Sequence, residues 1–271
     1  IKELEREITD FHAEIATKTS KEIEYDLIGF HGHTIYHNID EKISKQIGLG
    51  TSLSRITNKT VVYDFRQNDI KNGGEGAPLS PIYHLVLIKA LFSENKVKIP
   101  VSILNIGGIA NITKIDKDFK ITSSDIGPGN CLIDKWIRKN SDKLFDKDGN
   151  FAQKGKIDKF IFDQYLDNYY YSKINSKRSL DTNDFDISFA KGLSLENGTT
   201  TITELTSELL SKKIGSNNIY VCGGGRKNKF LINSLKSKIN NKIFNIDDLN
   251  IDGDYIESQA FAFLAIRSYL G

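Results

Sequence analysis

The chain has 271 residues, 39% hydrophobic and 27% charged, with 37 Lys and Arg against 35 Asp and Glu. That length suits about two domains or one large α/β unit, and a net charge of +2 leaves no basic field for nucleic acid. No apolar run reaches the ~18–20 residues that cross a bilayer and no signal peptide opens the chain. Cys131 and Cys222 are too few for a disulfide framework and too isolated for a zinc site. The expectation is a soluble, cytoplasmic protein.

The chain starts at Ile1 inside a helical pattern and contains no Met. Leu4, Ile8, Phe11 and Ile15 recur at helical spacing, which predicts a helix over residues 2–18 with that face buried. A domain seldom opens on a helix with no strand before it, so a front piece is expected to be missing. "YDLIGFHGHT" reads as a buried strand ending in a polar turn around Gly32, and "GLGTSLS" (48–54) as a surface turn and N-cap. "TVVYDF" is the next strand, and residues 78–93 read as a helix. "VSILNIGGIANITKI" predicts a hairpin or bent strand pair broken at Gly107-Gly108. "KITSSDIGPGN" is a strand running into a turn, with a helix from Leu132. Residues 140–190 read as surface helices and loops. "TTTITELTSELLSKKI" predicts a helix capped by Thr, "NIYVCGGGRKNKFLINSLKSKI" a strand, glycine turn and helix, and "YIESQAFAFLAIRSYL" a final helix. Strands alternating with helices imply mixed α/β layers.

Three strands therefore end in glycine turns: Gly107-Gly108, Gly127-Pro128-Gly129-Asn130 and Gly223-Gly224-Gly225. Glycine lets backbone N–H groups approach a ligand, and where a turn opens a helix those groups and the helix dipole favour an anion. The second and third turns precede helices and suit a nucleotide phosphate or ribose, while a tight turn without a ligand is the simpler account of any one of the three taken alone. Neither a Walker loop nor a dinucleotide fingerprint is present. His31, His33 and His37 have a spacing that metals use, but no carboxylate or Cys completes the set, and a polar pocket wall is the better reading. His12 and His84, on presumed helices, read as structural.

The blocks "IGFHGHTIYH", "VVYDFRQNDIKNGGEGAPL", "ILNIGGIANIT", "SSDIGPGNCLIDKW", "VCGGGRKN" and "DGDYIESQAFAFLA" resemble, in order, the signature blocks of anhydro-N-acetylmuramic acid kinases. "NSKRSLDTNDFD" (175–186) is similar to a further block of that family in drifted form. The resemblance implies the two-lobed α/β fold of the sugar kinase, Hsp70 and actin superfamily, with ATP in the cleft. The expected lobes are residues 1–97 with the returning helix 255–271, and 98–254 for the nucleotide. The activity implied is a peptidoglycan-recycling step, in which ATP and water convert 1,6-anhydro-N-acetylmuramic acid to N-acetylmuramic acid 6-phosphate.

By the same resemblance Asp64 is the general base that activates water at the anomeric carbon. On the residues alone, a structural Asp64–Arg66 pair is the simpler account. His31, Thr34, Arg66 and Glu257 are expected at the sugar. A salt bridge to Asp69 is the alternative for Arg66, and a dipole-favoured helix-terminal acid the alternative for Glu257. The bare segment Gly73–Gly76 would let backbone approach the ligand. Gly107, Gly108, Asp125, Gly127, Gly129, Asn130 and Gly223, Gly224 and Gly225 are expected at the nucleotide. Mg²⁺ should accompany ATP, with no ligand named for it. The partners expected are the sugar and ATP, with a homodimer left open, and neither nucleic acid nor membrane. The family opens on a strand and a Gly-Thr-Ser-x-Asp-Gly phosphate loop that this chain does not show. The first lobe is therefore expected to be incomplete, and an inactive ligand-binding remnant or another sugar kinase stand as alternatives. His33 replaces the family's usual Gln, and Ile126 its Thr.

Overall fold

In the structure, a computed structural model describing residues 1–171, 180–215 and 217–271, helix α1 (Lys2–Thr19) forms where its spacing predicts. Of the predicted stripe only Ile8 packs inward, against Ala13, Phe30 and Leu53. Leu4, Phe11 and Ile15 are exposed, while Thr9 and Ala13 are buried. The reason is local: the Thr9 hydroxyl donates to the Glu5 carbonyl (2.7 Å) and accepts from the Leu49 N–H (2.9 Å). Small Ala13 then packs on Phe30 and Leu53.

Strand β1 (Leu27–Phe30) is followed by the hairpin β2 (His33–Asn38) and β3 (Ile43–Ile47), then α2 (Gly50–Thr57) and β4 (Thr60–Tyr63). The "GLGTSLS" stretch is thus mostly helix rather than turn, and Leu49 at its N-cap supplies no side-chain cap. Gly50 is required there, because a Cβ would lie 2.4 Å from the Tyr63 ring. β1 and β4 pair in parallel, with Gly29 opposite Val62, and β4 runs into α3 (Phe65–Lys71) and then α4 (Ser80–Ser93).

The chain divides into two compact units, Ile1–Val86 with Glu257–Gly271, and Leu87–Ile256. The division falls inside α4, ahead of the point before Pro100 that the sequence suggests. Among the described residues the second unit holds a five-stranded sheet in the order β7 (Ile121–Pro128), β6 (Ile109–Ile115), β5 (Val101–Ile106), β8 (Asn218–Cys222), β9 (Ile243–Asn245). β6 is antiparallel to both neighbours, and β5, β8 and β9 are parallel. On one face Leu104, Ile106, Ile112, Ile126 and Val221 join a core with Trp136 of α5 (Cys131–Asn140) and Leu205 and Leu209 of α7 (Leu195–Ile214).

α7 starts before the threonines, not at them. Ser194 caps it by accepting from the Asn197 N–H (3.2 Å). Thr199, Thr200 and Thr203 lie inside the helix, buried, with their hydroxyls donated to carbonyls four residues back. Such back-bonding lets a polar run occupy a core helix. Nor is the 140–190 region all surface: Tyr169 of α6 (Lys159–Tyr171), Phe185, Ile187 and Ala190 belong to the same core. Lys135 helps anchor this stretch by donating to the Thr182 and Phe185 carbonyls.

After β8, Gly223, Gly224 and Gly225 lead through a 3₁₀ turn into α8 (Lys229–Lys238), capped by the Asn228 side chain on the Leu231 N–H (3.0 Å). Arg226 in that turn has a buried guanidinium. It donates to Asp247 (3.0 Å), Asp254 (2.5 Å) and Asp252 (3.3 Å), and to the Gly223 carbonyl (3.1 Å). Lys227 also donates to Asp254. These hydrogen bonds hold the Asp254 carboxyl down at about 2.

Helix α9 (Ile256–Leu270) packs its backbone onto β1, where a Cβ on Gly29 would come 2.8 Å from the Phe261 carbonyl oxygen. Its Phe261 ring lies against His31 (4.3 Å between centroids) and Phe65 (5.3 Å). Tyr83 of α4 donates to Gln259 (2.8 Å).

Two outcomes follow from this packing. Gly29→Ala must push α9 off β1 or bend the strand, and should cost about 1–3 kcal/mol in urea unfolding; wild-type stability would mean that α9 is not seated so closely. For Asp254, the folded value of about 2 lies below the ordinary ~3.9 of an unfolded chain, so the unfolded state takes up the proton first. Its contribution is complete above about pH 4 and lost as pH falls towards 2. Asp254→Asn should flatten stability against pH across that window, and an unchanged acid limb would contradict the pairing.

Candidate functional site

In the first unit the chemistry gathers where β4 becomes α3. Asp64 is the N-cap residue of α3, with φ 63° and ψ 33°, a left-handed conformation that Asp tolerates better than most side chains. Its carboxylate does not cap the helix, is exposed, and forms no hydrogen bond or ion pair among the described residues. The structural Asp64–Arg66 pair does not form, and neither does an Arg66–Asp69 bridge. Arg66 Nε donates to His31 Nε2 (2.8 Å) and Nη1 to the Gly76 carbonyl (2.9 Å). Asp69 Oδ2 accepts the Gly76 N–H (2.8 Å). One glycine is thus held through both its backbone groups from one helix.

That clamp revises the expected open loop. A Cβ on Gly74 would lie 2.1 Å from Asp69 Oδ2, and one on Gly76 2.8 Å from Ile70 Cδ1. These glycines let the segment press onto α3. Only Gly73 has open space around it.

An Arg can only donate, so His31 Nε2 accepts and the ring proton sits on Nδ1, which donates to the Gly32 carbonyl (2.9 Å). Burial, and then the charge of Arg66, hold His31 neutral with its pKa down at about 4. Burial pulls the Arg66 guanidinium down, and the nearby charge of Glu257 opposes that shift. The Phe261 ring lies 5.9 Å from Arg66 Cζ. Asp64, Arg66, His31 and Glu257 therefore belong to one neighbourhood. Thr34 sits on the β2–β3 hairpin, accepting from the Gln46 amide (3.1 Å), and no described hydrogen bond joins it to Arg66. Among the described residues no group of three or more His, Cys, Asp or Glu could hold a metal ion.

In the second unit the glycine turns differ from one another. The Gly107 carbonyl accepts the N–H group of Asn130 (2.7 Å), and the Gly108 carbonyl accepts those of Gly129 (2.9 Å) and Cys131 (3.1 Å). The amides at the head of α5, expected to be free for an anion, are therefore occupied. Gly129 is sterically required, since a Cβ would lie 2.2 Å from the Gly107 carbonyl oxygen. Gly223, at φ 77°, and Gly225, whose Cβ would meet Ile106 at 2.2 Å, are required too. Gly107 and Gly224 are not: neither has a positive φ, and added Cβ atoms would meet nothing closer than 3.5 Å and 3.9 Å. Asp125 accepts the Leu180 N–H (2.8 Å), and burial raises its pKa against that bond. Residues 175–179 of the "NSKRSLDTNDFD" block lie outside the described residues.

A cavity of about 320 Å³ opens in this unit, lined by Asn130, Ile133, Asp134, Phe145, Asp146, Asp148, Gly224, Lys227 and Asn228. Asn130 and Gly224 are the two of these that the sequence assigns to the nucleotide; the others are not singled out there. Lys227 and Asn228 directly follow the third glycine turn, and Asn ahead of an apolar helix was a readable cap signal. Asp134 is a lone polar residue near the head of α5. Phe145, Asp146 and Asp148 come from a stretch without periodicity and carry no sequence signal.

The family model for anhydro-N-acetylmuramic acid kinase matches residues 1–270. The anhydro-N-acetylmuramic acid kinase of Pelagibacter ubique is 48% identical, over 100% of this chain and 75% of its own length. That of Rhodospirillum rubrum is 36% identical, over 100% and 72%. The solved structure of the activator of the 2-hydroxyisocaproyl-CoA dehydratase from Clostridium difficile with bound ADPNP has a TM-score of 0.45 and 14% identity, over 83% of this chain and 85% of that one. Matched along its whole length by the family model and by these relatives, the chain belongs to the anhydro-N-acetylmuramic acid kinase family.

Proposed function

We propose that this chain is a cytoplasmic, ATP-dependent kinase that converts 1,6-anhydro-N-acetylmuramic acid to N-acetylmuramic acid 6-phosphate during peptidoglycan recycling. Family membership supports the kinase activity, and one observation supports the mechanism. Asp64 holds an exposed carboxylate at a strand end, unpaired among the described residues, while the neighbouring guanidinium is engaged elsewhere. Such a carboxylate suits a general base, whose position matters more than an extreme pKa. It takes a proton from the water that attacks the anomeric carbon. The bond from that carbon to O6 breaks, and O6 takes the γ-phosphoryl group as ADP leaves. Arg66 is held at Nε and Nη1, and its Nη2, without a hydrogen bond among the described residues, is left for sugar or phosphate oxygens. Glu257, whose charge acts on Arg66, is assigned to the sugar hydroxyls.

The nucleotide is assigned to the second unit. Gly107 and Gly224 offer bare backbone that the fold itself does not demand. Mg²⁺ would neutralise charge on the phosphates. With no set of three protein ligands among the described residues, it fits as an ion carried by phosphate and water rather than by a protein cage. The lobes proposed on this reading are the two units of the chain, the first for the sugar and the second for the nucleotide.

Incubation with the anhydro sugar, ATP and Mg²⁺ should yield the 6-phosphosugar. Asp64→Asn should keep sugar and ATP binding while turnover drops at least ~10²-fold; near-normal turnover in the folded variant would remove Asp64 from the mechanism. Gly224→Val should leave the melting temperature unchanged and weaken ATP binding at least ~10-fold, the scale on which a steric misfit acts. Unaltered affinity would take Gly224 away from the nucleotide.

A further inference from the structure

We infer that Asp134 reads the nucleotide base, its carboxylate accepting a hydrogen bond from the 6-amino group of adenine, so that the cavity at the head of α5 selects 6-amino over 6-oxo purines. The inference rests on the nucleotide reading above. The cavity, about 320 Å³, is at the small end of ligand pockets and lies wholly within the second unit. Ile133 and Phe145 give it apolar surface suited to a flat ring, and Gly224 leaves its backbone bare there.

Its polar groups sort by elimination. Asp146 accepts the N–H groups of Phe151 (2.8 Å) and Ala152 (3.1 Å). The Asn228 carbonyl oxygen is engaged by Leu231 N–H (3.0 Å) and Lys227 by Asp254, while the Asn130 NH₂ donates to the Ile106 carbonyl (3.3 Å) and leaves its Oδ1 as a neutral, weaker acceptor beside the carboxylates. Asp134 has no hydrogen bond or ion pair among the described residues, although it is partly buried. Burial raises its pKa to about 6, Arg138 opposing and Asp146 adding to the shift. A carboxylate kept from water without a donor is costly, and a donor arriving with the ligand removes that cost. An ionised carboxylate only accepts. It pairs with the 6-amino group of adenine and opposes the O6 acceptor of hypoxanthine. Asp148, the other lining carboxylate without a described partner, is the competing reader.

ATP and ITP, which differ at that position, provide the test by calorimetric titration of the full chain. Wild type should bind ATP about 10- to 100-fold tighter, the range for a hydrogen bond to a charged group. Asp134→Asn, whose amide can present either oxygen or NH₂, should bring the two nucleotides near parity with unchanged thermal unfolding. Asp134→Ser is expected to do the same and serves if the Asn variant is unstable. Equal binding by wild type, or loss of preference in Asp148→Asn while Asp134→Asn retains it, overturns the inference and leaves the nucleotide assignment standing. Binding of neither nucleotide by wild type overturns both.

Discussion

The buried guanidinium of Arg226 is the constraint on which the second unit's glycine turn depends. A charge removed from water is tolerated only when it is paired and hydrogen-bonded. Asp247, Asp252 and Asp254 supply the pairing, and the Gly223 carbonyl takes a further N–H. Gly253 must lack a side chain because a Cβ would lie 2.6 Å from Arg226 Nε, so the acidic loop can close directly over the guanidinium. Its carbonyl in turn accepts the Gly223 N–H (3.0 Å). The first glycine of the turn is thereby fixed at both its backbone groups, which sets where Gly224 lies and where α8 begins.

The first unit uses the same physics with a different arrangement. Arg66 takes the Gly76 carbonyl while Asp69 takes its N–H, so a glycine is again held from both sides. Here the charge is pinned by a neutral imidazole instead of by carboxylates. His31 can accept from Arg66 only because its proton sits on Nδ1, and burial keeps a second proton off the ring. A carboxylate in place of His31 would neutralise the guanidinium. An imidazole orients it without neutralising it.

Much of the architecture was legible because it is written in local chemistry. The hairpin at Gly107-Gly108, the strands before the other two glycine turns and the final helix all follow from short apolar runs and their breakers. What failed was any step that needed the partner of a surface. The apolar stripe of α1 is real, yet Thr9 and Ala13 face inward, because a hydroxyl that satisfies Leu49 and a small methyl allow closer packing than Phe11 would. The threonines of α7 look like caps in sequence and are core residues in space, since each can bond its own helix. The same limit applies to the site. Asp64 could be proposed from its block, but the engagement of Arg66 with His31, across many intervening residues, could not be read there. The lining of the cavity from Phe145 to Asp148 had no pattern to announce it.

Glycine shows how structure sharpens such a reading. In sequence the three turns look alike, and each could be assigned to a ligand or to a tight bend. Steric demand separates them. Gly129, Gly223 and Gly225 are explained by neighbours that a Cβ would strike, so their presence says nothing further about binding. Gly107 and Gly224 have neither an unusual φ nor a close neighbour, and a chain shaped by folding alone could carry larger residues there. Glycine in such positions loses more conformational entropy on folding than any alternative, and these two positions are therefore the ones proposed to face a ligand. The ligand contact proposed for the second unit rests on these two positions and not on how many glycines the turns contain.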